Sequence, residues 1–82
     1  MKIVWDETKR QANIEKHGLD FALLSQDFFL DAIIRPVKLG RYSAMGRLND
    51  GTITVIFLRL GVEGLSVISM RPASRKERKE LE

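Results

Sequence analysis

Cysteine is absent from the 82 residues, and histidine occurs once. Disulfides and thiolate metal sites are therefore excluded, and a lone imidazole offers little to zinc. No apolar run approaches the ~20 residues of a membrane span. The longest nearly apolar run, Val55 to Leu60, is strand-length and contains Arg59. Only Ile3-Val4-Trp5 separates Lys2 from Asp6, too short for a signal peptide. The chain is thus expected in the cytoplasm, away from membranes. A glycine-rich phosphate loop, a Gly-x-Ser-x-Gly elbow and a metal-binding acidic cluster are also missing. Any catalysis is expected to run on charged side chains, with no cofactor and no metal.

What is present fits one small domain spanning 1–82. A chain of this size buries only ~60% of its unfolded surface, so its stability is modest. The net charge is +3. Residues 1–17 carry four Lys/Arg against three acids, 18–70 five of each, and 71–82 five against three. The excess sits at the two ends. Between Asp31 and Asp50, Arg35, Lys38, Arg41 and Arg47 occur with no acid among them. These stretches either merge into one face suited to phosphates or form ordinary solvated surface.

Lys2–Trp5 reads as a short strand. Asp6 suits an N-cap, Glu7–His17 favours helix, and Gly18 suits a left-handed stop. A second helix is expected from Asp20, with Phe21, Leu24 and Phe28 at helical spacing. Phe28-Phe29-Leu30 then leads into β structure. Strands are expected at Ala32–Arg35, at Arg41–Leu48, at Thr52–Leu60 as the central one, and at Leu65–Met70. Asn49-Asp50-Gly51 marks a hairpin turn. In the last strand, alternation places Leu65, Val67 and Ser69 against Ser66, Ile68 and Met70. Ser74 and Glu77 form a capping box that opens a final helix. The expected fold class is α+β: β-α-α, then an antiparallel four-stranded meander, then a C-terminal helix.

Three groups of residues are candidates for chemistry. Trp5, Lys9, Asn13 and Lys16 fall on one stripe with His17 beside them; Trp5, Ala12 and the lysine stems are expected to face the sheet. The lysines either snorkel while Asn13 bonds a nearby loop, or they border a phosphate site. His17 ends a helix, where it either bonds a carbonyl or serves as a general acid or base. Arg71, Arg75, Lys76, Arg78 and Lys79 crowd the start of the last helix. Positive charge there opposes the helix dipole, while free N–H groups and arginines together attract an anion. RNA cleavage suits such a set. The 2′-OH is an internal nucleophile, and the protein need only align it, move protons and stabilise added negative charge.

Trp5-Asp6-x-x-Lys9-x-x-x-Asn13-x-x-Lys16-His17-Gly18-Leu19-x-Phe21 resembles the opening signature of the BrnT toxins. The segment Val67-Ile68-Ser69-Met70-Arg71-Pro72-Ala73-Ser74-Arg75-Lys76-Glu77-Arg78 is similar to that family's closing one. Arg41 followed by Gly46 matches its central strand. Met70 and Pro72 depart from the pattern, and the stretch before Arg41 lacks the acids that many members carry. The resemblance implies a type II toxin–antitoxin toxin with a RelE-like ribonuclease fold that cuts RNA without metal. It implies a BrnA-like ribbon-helix-helix antitoxin as partner in a 2:2 heterotetramer. Operator DNA would be reached only through that antitoxin. By position, His17, Arg41, Arg71 and Arg75 are the catalytic candidates. Lys9, Lys16, Arg47, Lys76 and Arg78 are the RNA-binding ones. The alternative is a catalytically weak module that binds the antitoxin and supports operator repression.

Overall fold

A computed structural model of the chain describes residues 1–49 and 51–81. The elements run β1 (Lys2–Trp5), α1 (Glu7–His17), a 3-10 turn (Phe21–Leu23), α2 (Gln26–Asp31), β2 (Ile33–Pro36), a turn (Lys38–Gly40), β3 (Tyr42–Leu48), β4 (Gly51–Leu60), β5 (Gly64–Pro72) and α3 (Arg75–Lys79). All strands join one sheet in the order β1-β5-β4-β3-β2.

The sheet has five strands and is mixed, because the first expected strand, Lys2–Trp5, joins the four later ones. β2 to β5 pair antiparallel with their chain neighbours, and β1 pairs parallel with β5, from Lys2↔Gly64 to Trp5↔Val67. Without β1, the outer edge of β5 would present a bare row of N–H and C=O groups. β4 is central, as its run of Ile, Val and Phe suggests. β3 and β4 close at Leu48↔Gly51, with Asn49 at φ 53; Asp50, the middle of the expected turn, lies outside the described residues.

The first helix follows its caps. The Asp6 carboxylate accepts from the Thr8 N–H at 2.9 Å, and Gly18, at φ 69, donates its N–H to Ile14 O at 2.7 Å. The expected second helix is broken. Phe21–Leu23 forms a single 3-10 turn, Leu24 and Ser25 are extended, and α2 begins at Gln26. Asp20 and Ser25 are residue types that favour extended cap backbone over continued helix. Phe28 to Leu30, expected to lead into a strand, lie within α2 instead. This break lets Phe21, Leu24, Phe28 and Phe29 all reach the core.

Those four side chains cover one face of the sheet, packing on Ala44, Val55, Phe57, Leu65, Val67 and Met70. Phe29 meets Phe57 edge-on at 5.5 Å between ring centres. Gly46 provides the flat spot for Phe28, since a Cβ there would stand 3.0 Å from the Phe28 ring.

Strict alternation fails in β5. Ile56 pairs with Ser69 but Phe57 pairs with Val67, so Ile68 is an extra, unpaired residue. The bulge shifts the phase of all that follows. Met70 therefore joins Leu65 and Val67 in the core, fully buried, and Ser69 turns to the other face. On that second face lies the row Met45–Thr54–Arg71. Met45 and Thr54 are buried there, apart from the main core cluster. The C-terminal segment spans this row. Glu77 binds Arg71, and Glu80 binds Arg35 at 2.8 Å.

Candidate functional site

β1 ends opposite Val67, so the following residues of β5 form a sheet edge. α1 crosses this edge. Asn13, 6% exposed, accepts from the Met70 N–H at 3.0 Å and donates to Leu19 O at 2.9 Å. One buried amide thus ties helix, loop and strand together. Of the two readings of the stripe, loop bonding by Asn13 is observed. Lys9 and Lys16 are exposed, and His17 is half-buried. Trp5 packs edge-on against Phe21, but Ala12, expected to face the sheet, is exposed.

Lys9, Lys16 and His17 line one groove of about 220 Å³ with Asn13, Ile68 and Ser69. Ile68 and Ser69 were not among the sequence candidates. The bulge that brings them to the groove leaves no trace in the residue pattern. Arg71 follows Ser69 on the same face, about 7 Å further along β5 at the usual rise per residue. The groove and the start of the last helix are therefore adjacent stretches of one basic edge.

Arg71 has a partner within the chain. Its guanidinium donates to both Glu77 carboxylate oxygens, at 2.7 and 3.2 Å. Glu77 also accepts from the Ser74 N–H at 2.8 Å, and its own N–H donates to Ser74 Oγ at 3.1 Å, completing the capping box. The Arg71 hydrogen bond is the main cause that holds the Glu77 carboxyl down to about 2; the bonds from Ser74 add to it, and partial burial opposes both. Arg75, Lys76 and Arg78 point into solvent from α3.

Two candidates lie elsewhere. Arg41 precedes Tyr42, whose partner is Phe57, whereas Arg71 faces Thr54. Roughly 13 Å of strand separates the two positions along the sheet. Arg47 lines a different cavity, of about 490 Å³, with Asp27, Asp31 and Leu81. Tyr42, the one aromatic on the basic strand, stacks on Phe57 at 5.7 Å and is committed to packing.

Another ion pair joins residues that the sequence pattern does not mark as partners. Arg10 donates from Nε to Asp20 Oδ1 at 2.7 Å and from Nη2 to Oδ2 at 2.9 Å, and it also binds Glu7. Asp20 caps the 3-10 turn through the Ala22 N–H at 2.9 Å. The Arg10 bond, helped by that cap, holds the Asp20 carboxyl at about 2. Both carboxyls thus ionise more readily in the folded chain than their ordinary values of 3.8 (Asp20) and 4.5 (Glu77) allow when unfolded. The stability they contribute is present above those ordinary values and is lost as pH falls through the folded ones. The urea midpoint is therefore expected to fall steadily between about pH 4.5 and pH 2, and more shallowly in Asp20→Asn and Glu77→Gln. Equal slopes in wild type and both variants would contradict these pairings.

A family model described as the ribonuclease toxin BrnT of type II toxin–antitoxin systems matches residues 5–77. The chain is also similar to the crystal structure of the Brucella abortus ribonuclease toxin BrnT. Identity is 58% and the TM-score is 0.86, over 92% of this chain and 99% of that one. No curated protein matches it. A toxin of such a system has an antitoxin as its partner. The matched span holds the Lys16-His17 helix end, the β5 edge and the Arg71–Glu77 pair, and with it the chain belongs to the BrnT family of ribonuclease toxins.

Proposed function

We propose that the chain is an endoribonuclease that cuts RNA without a metal ion and so inhibits translation and growth. The observation that carries this reading is the groove at the β5 edge. Lys9, Lys16 and His17 converge there, with Arg71 two residues beyond Ser69. Lys9 and Lys16 supply charge for the phosphate backbone. His17, at the helix end, moves the proton of the attacking 2′-OH or of the leaving oxygen. Arg71 and Arg75 stabilise the charge that gathers on the phosphorus oxygens, with Arg71 exchanging its Glu77 partner for the phosphate. Lys76 and Arg78 extend the basic surface along the strand of RNA. Arg41 and Arg47, which do not line the groove, act at its periphery.

The chain acts as one domain, 1–82, of RelE-like fold, in the cytoplasm. Its partner is a BrnA-like ribbon-helix-helix antitoxin in a 2:2 assembly, and operator DNA is contacted through that antitoxin. One observation favours a catalytically weak interaction module instead. The arginine best placed for the phosphate is already bound to Glu77. Induced expression in a bacterial host separates the two readings. Wild type is expected to stop growth within a few generations, and His17→Ala and Arg71→Ala to permit it. Unimpeded growth with soluble wild-type protein would favour the inactive module.

A further inference from the structure

Pro36 pairs with Tyr42, and both Leu60 and Lys2 pair with Gly64. The β2–β3 turn, the β4–β5 turn and the start of β1 therefore lie at one end of the sheet. That end gathers all but one of the large apolar side chains left exposed among the described residues. Leu30, 70% exposed, Ile34 and Val62, 92% exposed, open on a cavity of about 300 Å³ floored by Phe29 and Phe57. Leu39 stands on the β2–β3 turn, 83% exposed, at φ 62. Leucine is disfavoured in that left-handed backbone, and its side chain is left largely to solvent. Contiguous exposed apolar surface of this kind marks an interaction site. The aliphatic side chains continue beyond the cavity mouth, which suits a polypeptide rather than an enclosed small molecule.

The charges at this end identify the occupant. Lys2, Lys38, Arg41 and Arg59 occur here against Glu63. Among the described residues none of these cations has an ion-pair partner. A second copy of the chain would bring one basic rim against another, and like charges across an interface oppose association. An acidic partner meets no such barrier. We propose that this end is the surface gripped by the antitoxin. The docking element is an amphipathic segment whose apolar side fills the cavity at Leu30, Ile34 and Val62. Its acidic flanks meet Lys38 and Arg59. The proposal rests on the reading of the chain as the toxin of a two-protein system.

The test is calorimetric titration of the full chain with its purified cognate ribbon-helix-helix antitoxin. The variants are Val62→Asp, Leu39→Asn and Arg59→Glu, with Leu23→Asp as an exposed apolar control outside the patch. Asparagine tolerates left-handed backbone, so Leu39→Asn keeps the turn while removing its apolar surface. Val62→Asp and Arg59→Glu are each expected to raise Kd at least tenfold, and Leu39→Asn severalfold. Leu23→Asp should leave Kd unchanged. Wild-type affinity should weaken with added salt. In cells, Val62→Asp should still arrest growth, but equal expression of antitoxin should no longer relieve it. If all three variants bind like wild type, this surface is not the docking site, while the toxin–antitoxin reading stands. A wild-type homodimer that Val62→Asp dissociates, with antitoxin affinity unchanged, would assign the patch to self-association and overturn the proposal. If wild type itself does not bind the antitoxin, the partner reading falls, and the proposal with it.

Discussion

Asn13→Ala is expected to remove about 2–4 kcal/mol of folding stability, because it leaves the Met70 N–H and the Leu19 carbonyl without partners at a buried site. A chain of this length has only about 4–12 kcal/mol in total. The melting temperature should fall by roughly 10–25 °C, with the larger value close to loss of the fold at growth temperature. The effect has a clear physical source. β1 is four residues long and stops opposite Val67, so the next N–H of β5 that faces outward needs an acceptor from elsewhere. No apolar side chain can provide one. Asn13→Asp keeps the acceptor but loses the donor to Leu19 and buries a charge, so it should destabilise comparably. A melting temperature within 3 °C of wild type for Asn13→Ala would mean that water replaces the amide at little cost. Because Lys9 and Lys16 flank Asn13 on the same helix face, any surviving Asn13→Ala protein should also bind RNA more weakly.

Arg71→Ala is expected to slow RNA cleavage by roughly 10²- to 10³-fold, the usual loss when one donor to a developing oxyanion is removed. Stability complicates this result, since the same change breaks the pair with Glu77. Glu77→Gln separates the two effects. It weakens the ion pair and retains an oxygen to accept from the Ser74 N–H. If Arg71 works on the phosphate, Glu77→Gln should cleave at least as fast as wild type while unfolding at lower urea. If Arg71 serves only to anchor α3, both variants should lose activity in proportion to lost stability. Arg71→Lys should recover part of the rate, because the charge returns without the two-pronged geometry.

Local chemistry carried most of what the sequence revealed. The Asp6 and Gly18 caps, the Ser74–Glu77 box and the central position of β4 depend on residues within a few positions of one another. They appear as expected. The failures are mostly nonlocal or arise from a single inserted residue. Ile68 looks like any strand residue, yet its bulge reverses the faces of Ser69 and Met70 and brings Ser69 to the groove. Phe21, Leu24 and Phe28 have helical spacing, yet the helical path is interrupted at Leu24 and Ser25. The parallel pairing of β1 with β5 joins segments about sixty residues apart. Asp20 was legible as a cap but not as the partner of Arg10, ten residues earlier.

The candidate site divides in the same way. Lys9, Lys16 and His17 belong to one helix, so their convergence follows from helical spacing. Arg71 does not line their groove; it follows Ser69 on the β5 edge that α1 packs across. Arg41 is basic and β-adjacent in the sequence, but sheet register alone decides that it stands far from Arg71 along the strands. The pair between Arg71 and Glu77 was half visible. The sequence marked Glu77 as a capping residue, and the structure adds that the same carboxylate holds the arginine.

The most direct measurement is single-turnover cleavage of a defined RNA by the purified chain in excess chelator, with His17→Ala and Arg71→Ala run beside wild type. Wild type is expected to cut, leaving 2′,3′-cyclic phosphate ends. His17→Ala should be slower by about 10²-fold or more, with a melting temperature close to wild type. Intact RNA after incubation with folded wild-type protein, or cleavage by His17→Ala and Arg71→Ala at the wild-type rate, would contradict a catalytic groove at the β5 edge.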